Sequence, residues 1–325
     1  MLIRPELQAL RSNDAPQRAA QKNLHLIIEA WRTKDAGAQA EAELARFHQG
    51  QALSELPLLS VLFCPDGNDW RAFLDKLLQP LLNQIAEEPL GQSPLRFSIG
   101  DGFTSIVLAR CGTSALTLQH VDGAALLRRP QAKTASFLPA VTWERVLVGT
   151  ADATHVHVDQ MLADRATLTC TDMRLAEGDV HVRSGKDEAL ILRSVPTSLV
   201  QLRLQRRNST CEPVREYSLD DGRLLHQSAG TPRESRLDLT ATLLGRMKRR
   251  DAAPMLAAMA EEQGADALRW QALRECLGLD SAIGFRTLCA LADRAGDPLH
   301  RPATALRAKL LEIHPELNGV CPCPA

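Results

Sequence analysis

The spacing of apolar residues changes twice along this chain of 325 residues, and this change limits the fold more than any other feature. Up to about residue 90 the apolar positions recur at intervals of three and four, which is typical of amphipathic helices. From about residue 94 they alternate in short segments, which predicts β-strands. From about residue 234 the helical period returns. The sequence therefore predicts an α+β protein in which helices precede and follow a β unit.

The N-terminal helical region contains two clear amphipathic patterns. The segment APQRAAQKNLHLIIEAWRTK places Leu24, Ile27, Ile28 and Trp31 on one face. The segment DWRAFLDKLLQPLLNQIAEEP aligns Trp70 with its leucines in the same way. Pro80 lies inside the second pattern, and we expect it to kink or divide that helix because proline lacks an amide hydrogen. Between them, LPLLSVLFCPDG predicts a buried helix or a linker.

The central region consists of short alternating segments that are separated by Gly, Asp, Asn or Pro. Among them are WERVLVGTADATHVHVDQ, RATLTCTDMRLAEGDVHVRSG and SLVQLRLQRR. Strands at this spacing, without helical patterns between them, favour an antiparallel sandwich or barrel. The two glycines of IGDGFTS are best explained by a hairpin turn at Asp101 and Gly102, since no GxxxxGK[ST] motif follows them.

The C-terminal region shows five amphipathic patterns that are joined by very short breaks. Ser281 is a suitable N-cap, Gly296 a suitable C′ residue and Pro302 a suitable first-turn residue. Short connections predict that neighbouring helices are antiparallel. The stretch from PMLAAMAEEQ to LADRAG resembles the stacked helix pairs of HEAT-like solenoids, which implies a helical array with a concave surface.

These patterns predict five segments. They are an N-terminal helical segment at 1–91, a β-sandwich at 92–212, a linker at 213–233, a helical repeat-like domain at 234–318 and a flexible tail at 319–325.

Charge and composition argue against nucleic-acid and membrane partners. Lys plus Arg, 38 residues, almost equals Asp plus Glu, 39 residues, so the chain has no overall positive field for nucleic acid or anionic lipid. The basic cluster LRLQRR is explained by edge protection or by a solvated strand face. The basic cluster GRMKRR is explained by the end of a helix, where cations are favourable. No apolar run approaches the length of about 18 residues that a membrane span needs. We therefore expect a cytoplasmic protein with no membrane or nucleic-acid partner.

The eight cysteines form no CxxC pair. Cys64, Cys111, Cys170, Cys276 and Cys289 have apolar neighbours, and we expect them to be small buried residues. Cys321 and Cys323 in the tail CPCPA are expected to be exposed, either as spare thiols or as ligands of a soft metal.

The segment THVHVDQ places His155, His157 and Asp159 at alternate positions. In a strand these side chains project from one face, and two imidazoles with a carboxylate are a ligand set for Zn, Fe or Mn. The alternative is the polar face of a half-buried strand, with Val156 and Val158 on its apolar face. Both interpretations remain open at this stage.

The same segment, with the later LAEGDVHVRSG, resembles the cupin superfamily, whose metal-binding members carry HxH, then a Glu and a later His. The resemblance implies a double-stranded β-helix fold, with His155 and His157 matching the first motif. The window after the second His offers Asp159 in place of the Glu, and His181 precedes the second turn instead of following it. The implied divalent metal site therefore consists of His155, His157, Asp159 and His181.

No GxSxG elbow occurs, so the sequence indicates no nucleophile and no catalytic residues. The architecture favours a binding or regulatory protein that recognises a small molecule or a partner protein through the sandwich mouth or an inter-domain groove. Two alternatives remain. One is a metal-dependent cupin-type enzyme, and the other is an assembly scaffold that acts through the C-terminal helices. Edge-to-edge sheet pairing would give a homodimer.

Overall fold

We describe the protein from a computed structural model, which covers Leu10, 12–34, 36–162, 164–207 and 212–320. The chain forms two compact units. The first contains the described residues up to 207 together with Tyr217–Leu224, and the second contains residues 212–216 and 225–320.

The first unit begins with four helices. They are α1 (Ala15–Lys34), α2 (Ala36–His48), α3 (Pro57–Leu62) and α4 (Asp69–Glu87). Helix α4 continues through Pro80 and is not divided there. Leu77 and Leu81 on either side are buried, so packing compensates for the hydrogen bond that proline cannot make.

Two buried charged side chains fix the short helix α3. The Glu43 carboxylate accepts hydrogen bonds from the amides of Leu58 and Leu59 at 3.1 and 2.9 Å, near the N-terminus of α3 where free amides need acceptors. Arg145 lies beyond its other end. This guanidinium donates to the carbonyls of Cys64 and Gly67, and burial lowers its pKa.

The strands of this unit and a short helix follow. They are β1 (Phe97–Gly100), β2 (Phe103–Cys111), β3 (Ser114–Asp122), α5 (Gly123–Leu127), β4 (Thr134–Phe137), β5 (Ala140–Val148), β6 (Ala151–Met161), β7 (Ala166–Leu175), β8 (Val180–Ser184), β9 (Glu188–Ser194) and β10 (Ser198–Arg207). Two further strands are β11 (Val214–Ser218) and β12 (Leu224–Ser228). The predicted turn at Asp101 and Gly102 joins β1 to β2, and the φ of Gly102 is +78°.

The strands form three sheets with the orders β1-β2-β3-β10-β5-β8, β7-β6-β9 and β12-β11-β4. Every pair for which the register is defined is antiparallel. The N-terminal helices cover one face of the six-stranded sheet, where Leu116, Leu202 and Leu204 join their core. Its other face packs on the three-stranded sheet β7-β6-β9 through residues such as Val146 and Ala153. The predicted antiparallel sandwich is therefore confirmed.

The opposite face of β7-β6-β9 is also covered. Val156 and Val158 pack there with Phe137 and Tyr217, whose rings meet edge to face at 5.8 Å. Both faces of strand β6 are consequently lined by protein, at least along its first half.

The second unit is helical. Its helices are α6 (Pro232–Arg246), α7 (Ala253–Glu261), α8 (Asp266–Leu279), α9 (Ser281–Ala292) and α10 (His300–Ile313). They enclose one apolar core. The α+β class with N-terminal and C-terminal helices is thus confirmed. The likeness to HEAT repeats stays a prediction.

Local details of the second unit differ from expectation. Asp280, and not Ser281, is the N-cap of α9, because its carboxylate accepts from the amides of Ala282 and Ile283. Helix α6 ends at Arg246, and Lys248 has a φ of +54°, so most of the GRMKRR cluster lies beyond the helix.

The five predicted segments differ in part from these units. The N-terminal helices and the six-stranded sheet share one unit, and the region 213–233 contains β11 and β12 where a linker was expected. The tail beyond Val320, with its CPCPA motif, lies outside the described residues. The division into five domains itself stays a prediction.

The five cysteines of the described chain divide into two groups. Cys276 and Cys289 are buried as expected, whereas Cys64 and Cys170 are exposed and Cys111 is half-buried. The expectation of burial for Cys64 and Cys170 was wrong, because apolar neighbours in sequence do not determine which strand or loop face a residue occupies. Burial raises the pKa of the Cys276 thiol to about 11.

Candidate functional site

The histidines of THVHVDQ lie on strand β6, whose alternation separates them from the valines. His155 is half-buried, whereas His157 and Asp159 are exposed, and Val156 and Val158 are buried on the other face. His155 lies on the same face as Ala151 and Ala153, which line the sandwich interior.

Three of the four proposed metal ligands have a nearby polar group of their own. His155 Nε2 lies 3.4 Å from Glu188 Oε1, and Asp159 accepts a hydrogen bond of 2.7 Å from the Thr169 hydroxyl. His181 Nε2 lies 3.9 Å from an oxygen of Asp179.

Burial lowers the pKa of His181. The negative charges of Asp179 and Glu144 oppose this decrease, and the positive charges of Arg183 and His155 add to it. Among the residues that the structure describes, no group of three His, Cys, Asp or Glu side chains is placed to hold a metal ion. The ligand set His155, His157, Asp159 and His181 stays a prediction.

A second group of charges lies in the sandwich interior, and we call it the charged cluster. It consists of Glu144 on β5, Arg183 on β8 and Arg203 on β10. Arg183 donates to Glu144 Oε2 at 2.6 Å, and Arg203 Nε lies 3.5 Å from Glu144 Oε1. The side chains of Glu144, Arg183 and Arg203 are 7%, 14% and 25% exposed. The two cations thus share one carboxylate away from bulk water.

Strand register explains how these residues meet. Glu144 is paired with Arg203 on one side and with His181 on the other. Leu202 and Leu204 point to the helices, so the alternation of β10 turns Gln201 and Arg203 toward the interior. Burial lowers the pKa of Arg203, and the Glu144 carboxylate opposes that effect. The guanidinium remains protonated because its ordinary pKa is so high.

Several buried donors of this region have no hydrogen-bond acceptor in the described part of the chain. They are Gln201 Nε2 and the Nε atoms of Arg129, Arg183 and Arg203. Buried donors in folded proteins nearly always have a partner, because leaving one unpaired costs roughly 1–3 kcal/mol. Gln201 and Arg203 share one face of β10, so one acceptor group beside them would satisfy both.

The charged cluster lines a cavity of about 580 Å³ inside the first unit, which we call the sandwich cavity. Pockets of roughly 300–1,000 Å³ are typical of small-molecule sites. Its wall has a polar part that includes Gln119, Gln201 and the charged cluster. Its apolar part is formed by Phe103, Val121, Leu126, Leu127, Leu190 and Leu192.

Two further arginines line the sandwich cavity, and both have protein acceptors. Arg193 donates to the Thr154 hydroxyl at 2.8 Å and to the Ala132 carbonyl at 3.2 Å. Arg129 donates to the Asp101 carbonyl and lies over the Phe103 ring at 4.9 Å. These contacts hold the loops around the cavity. Unused hydrogen-bonding capacity remains at the Nε of Arg129, at Gln201 and in the charged cluster.

The charged cluster is not among the sites that the sequence predicts. The pattern LRLQRR predicts edge protection or a solvated face for Arg203, but β10 lies between β3 and β5 and is not an edge strand. Arg206 on the same strand packs over Phe47 at 4.4 Å and donates to its carbonyl, so it holds α2 against the sheet. The available signal was the placement of a charged residue in the middle of two strands, in TWERV and QLRLQ.

No protein-family model matches this chain, and no curated protein sequence matches it either. Its solved-structure neighbours include HutD from Pseudomonas fluorescens SBW25, with 10% identity over 35% of this chain and 56% of HutD, and a TM-score of 0.25. The match thus spans little more than half of HutD.

Two other neighbours are the Drosophila melanogaster CENP-C cupin domain and KdgF from Halomonas sp. The first has 12% identity over 35% of this chain and 76% of that domain, with a TM-score of 0.27. The second has 16% identity over 35% and 89%, with a TM-score of 0.24. A cupin domain is thus among the solved structures that this chain is similar to.

No helix in the described part of the chain is both long enough and apolar enough to cross a bilayer.

Proposed function

We propose that this protein binds a small molecule in the sandwich cavity, as a binding or regulatory protein and not as an enzyme. The observation that carries the proposal is the cavity of about 580 Å³ with one polar and one apolar part. Both Glu144 oxygens face guanidinium groups, at 2.6 and 3.5 Å. A carboxylate held in this way is suited to a fixed electrostatic role and is a poor general base, which favours recognition over acid–base chemistry.

The test is a binding screen with small neutral, cationic and anionic fragments on the full chain. Leu190→Trp fills the apolar part of the cavity, and Leu162→Trp is the matched control because Leu162 is exposed and does not line the cavity. Circular dichroism checks that both variants fold. We expect fragments that bind the wild type and the control but not Leu190→Trp. Binding that Leu190→Trp leaves unchanged, or no binding by any fragment, would reject the proposal.

The metal-dependent alternative rests on two half-buried histidines of the sandwich, His155 on β6 and His181 on β8. It predicts about one equivalent of Zn, Fe or Mn in protein purified without added metal, and loss of that metal in a His155→Ala/His157→Ala variant. Equal and negligible metal content in both proteins would remove this alternative.

The scaffold alternative is favoured by exposed apolar residues on α6 and α7, namely Leu239, Leu243, Met247 and Met255. The first three recur every four residues along α6 and the turn after it, so they form one stripe. Self-assembly through this stripe predicts a dimer by light scattering that Leu243→Lys dissociates. A monomer at every concentration of the wild type would reject self-assembly.

A further inference from the structure

The arginines around the sandwich cavity differ in how many hydrogen-bond acceptors and ion pairs they have. Arg193 donates to a hydroxyl through Nε, Arg129 donates to a carbonyl through one terminal nitrogen, and Arg183 donates to Glu144 through one terminal nitrogen, while the buried Nε atoms of Arg129 and Arg183 have no acceptor among the described residues. Arg203 has only the longer ion pair with the same carboxylate, and its buried Nε has no hydrogen-bond acceptor among the described residues. The cluster therefore contains two guanidinium charges and one carboxylate, which leaves one positive charge in a largely desolvated place.

Such an arrangement is unfavourable without a further anion. A buried charge costs free energy unless another charge and hydrogen bonds compensate for the lost water. Gln201 supplies a second buried donor without an acceptor, two residues before Arg203 on the same strand face. Two positions along a strand are separated by roughly 6–7 Å at the backbone, and the long Gln and Arg side chains can converge on one small group from that distance. Two converging donors and one excess positive charge match a group with two acceptor oxygens and one negative charge.

The rest of the cavity wall restricts the remainder of the ligand. Val121, Leu190 and Leu192 lie on the inner faces of β3 and β9 and also line the cavity. An inorganic anion would leave this apolar surface uncovered, whereas an aliphatic or aromatic body would bury it.

We infer that the sandwich cavity binds a small organic monocarboxylate, whose carboxylate accepts hydrogen bonds from Arg203 and Gln201 while its apolar body packs against Val121, Leu190 and Leu192. This inference rests on the proposed function and specifies the ligand class. Glu144 is then a positioning residue, which holds Arg183 and aligns Arg203 without touching the ligand.

The experiment titrates the full chain with hexanoate, with hexanamide as a neutral analogue of the same length, and with inorganic phosphate. Calorimetry measures each affinity. Hexanoate is expected to bind, and hexanamide and phosphate to bind at least tenfold more weakly, because a charge-assisted hydrogen bond is about twice as strong as a neutral one.

Three variants locate the carboxylate. Arg203→Gln is expected to weaken hexanoate about ten- to hundredfold and to bring hexanoate and hexanamide to similar affinities. Gln201→Met keeps the length of the side chain, removes the buried donor and is expected to weaken hexanoate by a smaller factor. Arg174→Gln on β7 is the control, because Arg174 is exposed and outside the cavity wall, and it should bind as the wild type does.

The outcomes separate the inference from the proposed function. Equal binding of hexanoate and hexanamide, or hexanoate binding that both cavity variants retain, overturns the carboxylate assignment and leaves a ligand cavity in place. Tight binding of phosphate without binding of hexanoate overturns the claim that the ligand has an apolar organic body. If none of the three compounds binds, the inference fails, and the fragment screen with Leu190→Trp then decides the proposed function by itself.

Discussion

Replacing Glu144 by Gln is expected to destabilise the first unit strongly. The substitution keeps the shape of the side chain and removes the one negative charge that faces both Arg183 and Arg203. Removing one partner of a buried ion pair costs about 3–5 kcal/mol, because the other charge stays buried without compensation. Arg203 retains 25% of its side-chain exposure, which places the expected loss near the lower end, at about 3 kcal/mol.

The assay is urea unfolding followed by tryptophan fluorescence. Trp31, Trp70 and Trp143 belong to the first unit and only Trp270 to the second, so the signal reports chiefly on the unit that contains Glu144. In thermal unfolding the same loss corresponds to a decrease of roughly 6–12 °C for a unit of this size.

The control is Glu177→Gln. Glu177 forms an ion pair with Arg71 at 3.1 Å, and both side chains are more than half exposed, so its loss should cost no more than about 1 kcal/mol. If Glu144→Gln were as stable as this control, the charged cluster would not be a buried network, and the reasoning from uncompensated charge would be refuted.

Two further predictions concern the second unit and the thiols. The hydrogen bonds from Arg269 hold the pKa of Asp297 below its usual range, so this contribution to stability is complete above the ordinary pKa and is lost as the pH falls through the lowered folded value. Asp297→Asn should therefore lower the free energy of unfolding by about 3 kcal/mol at neutral pH. Below the folded pKa of Asp297, the variant and the wild type should have the same free energy of unfolding. An equal difference between the two proteins at both pH values would contradict this prediction. In native protein a thiol reagent should modify Cys64 and Cys170 quickly, whereas Cys276, with its pKa raised to about 11, should react only on unfolding. Mass mapping of the labelled peptides checks this order, which rapid native labelling of Cys276 would overturn.

The arrangement of helices and strands along the chain could be predicted from the sequence, because apolar spacing differs between the two kinds of element. The alternation in SLVQLRLQRR agrees with the structure, in which Leu202 and Leu204 share a face opposite Arg203. What it could not indicate is that both faces of β10 are covered, one by helices and the other by a second sheet.

Polar residues on a strand face that points into a sandwich alternate with apolar residues in the same way as polar residues on a face that points to solvent. For this reason LRLQRR predicts a solvated or edge position for Arg203, while THVHVDQ indicates as ligands His157 and Asp159, which are exposed in the structure. The cluster depends on strand pairing between β5, β8 and β10, which are far apart in sequence. Local patterns carry no information about such pairing, so these residues could be found only after the register was known.

The most direct test of the account is a crystal structure of the full chain grown with a bromine-labelled hexanoate. We expect the anomalous signal of the bromine inside the sandwich cavity near Leu190 and Leu192, and the carboxylate at hydrogen-bond distance, about 2.7–3.0 Å, from Arg203 and Gln201. A bromine bound elsewhere on the protein, or a carboxylate turned away from Arg203 toward the solvent, would contradict the central claim.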